Sequence, residues 1–234
     1  RFTVEHTHHQ LPWLDWRAVS KLNLDQKNQF LSTDLLAPPD ARNWRWLAAG
    51  KIERDDQPSY VVNSLQLRAG RSQSTDRLDR AYFLLYENAH NDGFDAPPAA
   101  SALSANTSWT WRFFEGLPFP TGGHGIALEA GVGTTLGVDR SPFARGLARW
   151  QGYIPLGRTE NGLPGTSRAG RISARAEVGA VVANANANLP TTQLFLTGGD
   201  NTVRGYAYES IGVISSTGQT NGGRYLAVGS LEWQ

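Results

Sequence analysis

Strict alternation of apolar and polar side chains is the feature that most restricts what this chain can fold into. In 171–182 the even positions are all Ile, Ala or Val, whereas the odd positions include Arg171, Arg175 and Glu177. Because successive side chains of a strand point to opposite faces, this segment predicts a strand with one apolar and one charged face. The pattern recurs and predicts eleven strands, at 1–9, 16–25, 27–36, 44–53, 59–70, 78–90, 103–114, 123–136, 144–154, 171–182 and 224–234.

Short clusters of turn-forming residues separate these strands and predict an all-β antiparallel meander, either a sandwich or a barrel. The clusters are at 11–12, 37–40, 55–58, 92–98, 118–123 and 161–165. The apolar positions are rich in Ala and Gly with Trp near the strand ends, and the opposite positions carry full charges, which favours a transmembrane β-barrel. A soluble antiparallel sheet stays open as an alternative, because it also alternates.

Composition excludes several other classes of protein. The 22 basic and 21 acidic residues leave a net charge of +1, which gives no basic surface for nucleic acid. Cysteine is absent, so disulfides and thiolate metal sites are excluded. No apolar run is long enough for a transmembrane helix. The chain has no Met and both its ends lie in alternating segments, so we expect a fragment, 1–234, of a longer barrel protein.

Catalysis and metal binding find little support in the sequence. No Ser-His-Asp arrangement, Gly-x-Ser-x-Gly elbow or phosphate loop is recognisable, so we expect no enzyme and no cofactor. The carboxylates Glu87, Glu129 and Glu177 could imitate a catalytic pair, but they are more simply lining of a charged lumen. His6, His8 and His9 could form part of a metal site, since His6 and His8 would share a strand face, but structural zinc needs four ligands and Glu5 lies on the opposite face, so we predict a solvated strand end with no metal.

One stretch, 183–223, is far too long for a hairpin loop. It contains Gly198-Gly199 and then Val203-Arg204-Gly205-Tyr206, and the strand that follows ends in Gly229-Ser230-Leu231-Glu232-Trp233. Loops of this length are usually functional or disordered, and the aromatic residues and paired glycines predict a folded one.

These motifs resemble the hallmark of the BamA/TamA superfamily of outer-membrane barrels, and the Leu-Thr-Gly-Gly-Asp and Tyr-Ala-Tyr-Glu-Ser-Ile-Gly sequences are most similar to its TamA branch. Pro12-Trp13 and the Pro-Thr-Gly-Gly turn in 119–123 are further similarities. The resemblance implies a complete barrel of about sixteen strands, of which this chain carries roughly the second to the twelfth. The periplasmic POTRA domains are then outside this chain.

The resemblance also implies a functional loop, at 183–223, that folds into the lumen and brings Arg204 near Glu232. Strand alternation agrees, because Glu232 shares its face with Leu226, Val228 and Ser230, opposite the lipid-type face. An arginine and a carboxylate can form a two-pronged hydrogen bond. Gly198, Gly199 and Gly205 would supply sharp turns. Val203 and Tyr206 complete the motif, and we expect the Tyr206 ring to pack against the lumen wall.

The function implied by the resemblance is assembly or translocation of outer-membrane proteins, with β-barrel or autotransporter-type clients. The expected partners are unfolded outer-membrane clients, the lipid bilayer and a periplasm-spanning protein, and the expected location is the outer membrane of a Gram-negative bacterium. Three alternatives remain at this stage. They are a two-partner secretion transporter, a passive porin and a soluble all-β binding protein.

Overall fold

A computed structural model describes residues 2–94, 96–116, 120–137, 139–159, 168–199 and 202–233. The predicted turn at 161–165 lies outside the described residues, as do Arg1, Phe119, Asp200, Asn201 and Gln234.

Eleven strands form one antiparallel sheet in which each strand pairs with its neighbours along the chain. The strands are β1 (Phe2–His8), β2 (Arg17–Leu24), β3 (Asn28–Leu36), β4 (Trp44–Asp56), β5 (Val61–Ser74), β6 (Leu78–Asp92), β7 (Ala100–Glu115), β8 (Gly122–Leu136), β9 (Pro142–Thr159), β10 (Arg168–Ala183) and β13 (Tyr225–Trp233). A two-residue hairpin, β11 (Val213–Ile214) with β12 (Thr220–Asn221), and a 3-10 turn at Thr191–Gln193 lie between β10 and β13. The predicted all-β antiparallel meander is confirmed, and the sheet is not closed. No helix among the described residues is long and apolar enough to cross a membrane.

Several strands extend beyond their predicted limits. β9 covers Pro142–Thr159, whereas alternation predicts only 144–154. The added residues continue the backbone ladder to β10 past Pro155, with a register shift between Ala169 and Arg171. Backbone hydrogen bonds need no particular side-chain pattern, so pairing continues where alternation has ended.

The register places the two side-chain sets on opposite faces of the whole sheet, which we call the apolar face and the polar face. On the apolar face Ala148 of β9 lies opposite Val178 of β10, which in turn lies opposite Ala227 of β13. Large apolar side chains on this face are open to the surroundings: Ile52 is 61% and Leu231 75% exposed. A continuous exposed apolar surface is unfavourable in water but suits lipid, so the structure favours the membrane barrel over the soluble sheet.

The buried core lies on the other side, between the polar face and the chain that connects β10 to β13. Its members are Ala102, Phe143, Leu147, Val181, Leu189 and Phe195. Four of them belong to the strands and two to the connection. The connection is therefore packed on the sheet.

Candidate functional site

The connection between β10 and β13, which we call the long segment (184–224), is closed at its base by Arg224. Its guanidinium donates hydrogen bonds to the carbonyl oxygens of Ala183 at 3.1 Å, Asn184 at 2.9 Å and Ala185 at 3.2 Å. The backbone N–H of Val181 also donates to the carbonyl oxygen of Arg224, at 2.7 Å. One side chain thus satisfies three carbonyls where the chain leaves the sheet.

Phe195 anchors the long segment on the polar face. Its ring is buried over Gly179, where an added Cβ would lie 2.7 Å from the Phe195 Cζ. The ring therefore occupies space that is open only because residue 179 has no side chain. The Arg145 guanidinium lies 4.8 Å from the ring centre, a cation–π contact. Backbone hydrogen bonds between Phe195 and Gly223, at 2.8 and 2.9 Å, tie the ring to the returning chain.

A buried polar contact lies beside this anchor. Glu87 of β6 is 3% exposed, and its carboxylate accepts a hydrogen bond from the side-chain amide of Gln193. The backbone carbonyl oxygen of Gln193 accepts a hydrogen bond from Arg145 Nε at 3.2 Å. Because a buried carboxylate without partners is costly, these contacts hold the long segment in one position across β6 and β9.

The predicted glycine pair forms a tight turn. Gly198 and Gly199 have φ values of +119° and +99°. The Gly198 N–H donates to Thr202 Oγ1 at 2.9 Å, and an added Cβ on Gly198 would lie 2.5 Å from the Ala207 carbonyl oxygen. This backbone conformation and this close approach both require glycine.

The turn presents the arginine motif to β13. Arg204 Nη2 lies 3.0 Å from Glu232 Oε1, and the next residue, Gly205, has a φ of +89°. On the sheet side, Arg175 Nη2 donates to the Thr202 carbonyl oxygen at 3.4 Å. The side chain of Arg204 is 67% exposed and that of Glu232 28% exposed. The structure thus brings together the two side chains whose pairing the family resemblance implies.

The remaining motif residues differ in their surroundings. Val203 is half-buried, but the ring of Tyr206 is 60% exposed. The described residues leave most of this ring uncovered, and its packing against the lumen wall stays a prediction. Its backbone N–H donates to the Val203 carbonyl oxygen at 3.4 Å, which closes a local turn.

Three acidic side chains meet where the long segment reaches β4. Burial of Glu209, together with its neighbours Asp55 and Glu53, raises the pKa of Glu209 to about 8. The adjacent Tyr208 is affected in the same way, since burial and the Glu209 charge raise the pKa of its phenol. The nearby carboxylates of Asp55 and Glu53 favour the neutral, protonated form of the Glu209 carboxyl group.

We expect the contact between the long segment and β4 to weaken with rising pH. Glu209 binds its proton more tightly in the folded than in the unfolded state, so its stabilising contribution is complete below pH 4.5 and is lost as pH rises to about 8. Hydrogen exchange of the Ser210 and Ile211 amides, corrected for the intrinsic rate, should show lower protection at about pH 9 than at about pH 5. The isosteric Glu209→Gln variant should lose this difference. Equal protection of the native protein at both pH values would contradict the assignment.

The other candidate residues occupy ordinary positions. Arg149 lies between two of the carboxylates, with its Nη1 2.7 Å from Glu129 Oε1 and its Nε 2.9 Å from Glu177 Oε1. This ion network lines the polar face. His6 and His8 share the apolar face of β1, opposite Ser20 and Ala18. Within the described part of the chain, no group of three or more His, Cys, Asp or Glu residues could hold a metal ion.

Sequence reasoning missed the residues that seat the long segment. Gly179 and Phe195, the Glu87–Gln193 contact, and Arg224 are not marked by any local motif. The apolar triplet Leu194-Phe195-Leu196, three consecutive large apolar residues in a long connection, was the signal that could have revealed the anchor.

An antiparallel meander with one lipid-type face, and with a long segment packed on its charged face, is typical of outer-membrane β-barrel proteins. Within that class, the Omp85 superfamily domain profile matches residues 50–234, and the chain belongs to this superfamily. The resemblance predicted from the motifs is thereby confirmed.

Comparison with solved structures agrees with the fold. The chain is similar to the crystal structure of BamA from Haemophilus ducreyi lacking POTRA domains 1–3, with a TM-score of 0.71 and 14% sequence identity. The match covers 94% of this chain and 47% of the BamA chain, so the chain spans about half the length of that structure. No curated protein sequence matches the chain.

Proposed function

We propose that the protein containing this chain assembles or translocates outer-membrane proteins, with β-barrel or autotransporter-type clients and most similar to the TamA branch. The observation that carries the proposal is the long segment, which is seated on the polar face by Phe195 and reaches β13 through Arg204 and Glu232. Membership of the Omp85 superfamily supports the same role.

The proposed mechanism needs strand pairing and no cofactor, nucleotide or catalytic residue. An unpaired strand edge is a template for an incoming β-hairpin, so a barrel that opens at one seam can guide a client strand by strand. Mismatch between barrel height and bilayer thickness can thin the membrane and lower the barrier to insertion. The long segment would hold the polar face in its working shape. The partners are then an unfolded client, the bilayer and a periplasm-spanning protein.

A reconstitution experiment tests this function. The full-length protein is placed in phospholipid vesicles, an unfolded β-barrel client is added, and the folded client is measured by its heat-dependent gel mobility and its protection from protease. We expect client folding to be at least about tenfold faster than in empty vesicles, an order-of-magnitude expectation for a lowered insertion barrier.

Two other outcomes would contradict the proposal. Steady ion conductance without faster client folding would indicate a porin. Release of a soluble partner through the barrel, again without client insertion, would indicate a two-partner secretion transporter. A matched vesicle sample containing an unrelated barrel of similar size controls for nonspecific disturbance of the bilayer.

A further inference from the structure

A cluster of arginine and aromatic side chains lies on the apolar face, where β4 begins and β5 ends. This end of the strands is opposite the end that carries the long segment. We call it the arginine–tryptophan cluster, and its members are Trp44, Trp46, Arg71, Arg80, Tyr82 and Trp109. The register places all six on the lipid-type face.

Aromatic rings hold the two guanidiniums against the sheet. The Arg80 guanidinium carbon lies 4.9 Å from the ring centre of Trp44 and 5.9 Å from that of Trp109. The Arg71 guanidinium carbon lies 5.5 Å from the Trp44 ring centre and 5.1 Å from that of Trp46. Trp44 therefore contacts both cations, and stacking at 5.9 Å on Tyr82 fixes the Trp44 ring.

The cluster has more positive than negative charge. Arg71 Nη2 lies 3.1 Å from Asp40 Oδ2, but the other oxygen of Asp40 already accepts the backbone N–H groups of Arg42 and Trp44. Arg71 Nε is buried and has no hydrogen-bond partner within the part of the chain that the structure describes. Arg80 donates Nε to the neutral Gln73 Oε1 at 2.7 Å, and no carboxylate pairs with it among the residues that the structure describes.

A guanidinium on a lipid-facing surface needs an anion, because an unpaired charge near hydrocarbon is costly. No described residue accepts a hydrogen bond from the Nη groups of Arg80, and a guanidinium matches the geometry of a phosphate. Tryptophan and tyrosine are enriched at the level of lipid headgroups, so the rings place the cations at the depth of the phosphates.

We propose that the arginine–tryptophan cluster binds the phosphate of an anionic phospholipid. Long loops of outer-membrane barrels are extracellular, so the long segment marks the extracellular end of the strands and the cluster at the opposite end faces the periplasmic leaflet. The occupant is therefore a phospholipid and not a lipopolysaccharide. This proposal rests on the membrane placement of the sheet and is independent of how clients are handled.

Native mass spectrometry of the full-length protein, released from vesicles of equal phosphatidylglycerol and phosphatidylcholine content, tests the proposal. We expect the wild type to retain phosphatidylglycerol about fivefold to tenfold in excess, because both lipids carry the phosphate but the choline cation of phosphatidylcholine offsets its charge beside the two arginines. The double variant Arg71→Gln/Arg80→Gln should retain the two lipids equally. The control Arg68→Gln removes a cation from the same strand β5 on the polar face and should keep the preference.

Several outcomes would overturn the site. These are equal retention by the wild type, the same loss in Arg68→Gln as in the double variant, or preferential retention of lipid A when it is offered as a third component. Heat-dependent gel mobility verifies that each barrel is folded, and the single variant Arg80→Gln replaces the double one if the latter fails to fold. Client insertion is measured on the same variants, so failure of lipid binding and failure of the proposed function are distinguishable.

Discussion

Reversing the charge of Arg204 in the full-length protein should strongly reduce delivery of a β-barrel client to the cell surface while the barrel itself remains at normal levels. Arg204→Glu places a carboxylate where the structure has Arg204 Nη2 3.0 Å from Glu232 Oε1. Glu232→Arg creates the opposite repulsion and should have the same effect. The double exchange restores an ion pair of reversed polarity and should recover most of the delivery.

The stability and the function should respond differently to these changes. Arg204 is two-thirds exposed, so its ion pair contributes at most about 1 kcal/mol to the free energy of unfolding. The barrel should therefore stay folded in all three variants. Repulsion between the two side chains displaces the Val203–Tyr206 motif from its position over β13. We therefore expect delivery by either single variant to fall by about tenfold or more, because about 1.4 kcal/mol corresponds to a factor of ten.

A second ion pair on the polar face provides the matched control. Arg68 Nη2 lies 3.3 Å from Asp34 Oδ1, between β5 and β3 and away from the long segment. Arg68→Glu should leave delivery near the native level. If Arg204→Glu and Glu232→Arg both deliver like the wild type, the pair is dispensable. If the double exchange is as defective as the single variants, the pairing of these two charges is not what matters.

The second large effect concerns the contact of Phe195 with Gly179, which holds the long segment on the sheet. Phe195→Ala removes a buried ring from its place over Gly179, and such truncations cost about 3–5 kcal/mol. This free energy is lost from the contact between the long segment and the sheet, whereas the backbone hydrogen bonds between the strands are unchanged. We therefore expect the segment to open far more often while the barrel stays assembled.

Limited trypsin digestion can measure this opening, because Arg204 lies inside the long segment and is exposed. Cleavage after Arg204 should be on the order of a hundredfold faster in Phe195→Ala, if opening is fast relative to cleavage. Phe2→Ala, which removes a 59% exposed ring from the apolar face, should leave the rate unchanged. An unchanged rate in Phe195→Ala would mean that the polar contacts, such as Glu87 with Gln193, hold the segment without the ring.

The sheet was predictable from the sequence because the alternation that marks each strand lies within a short stretch of the chain. A strand with one face toward lipid and one toward charged groups must alternate, and the segment 171–182 shows this residue by residue. The position of Glu232 followed from the same rule, since the register of β13 against β10 sets which side chains share the polar face. The motif resemblance then supplied its partner, Arg204.

The interior of the long segment was not predictable because its contacts join distant parts of the chain. Gln193 and Glu87 are 106 residues apart, and nothing near either residue identifies the other. Gly179 is one more small residue in a strand rich in Ala and Gly until the ring of Phe195 is seen over it. The local turn that Tyr206 closes with Val203 is likewise not specified by the motif alone.

The contacts of the long segment make one end of the sheet more resistant to relative movement of its strands than the other end. At one end the segment touches Asp55 of β4, Ser59 before β5, Glu87 of β6 and Arg145 of β9. Fanning or sliding of these strands at that end would break several of these contacts together. At the other end, contacts such as that of Arg71 with Asp40 join nearby strands and their connections, and no described segment spans from β4 to β9. We therefore expect the sheet to deform less at the end that carries the long segment, and shape changes of the barrel should concentrate at the opposite end.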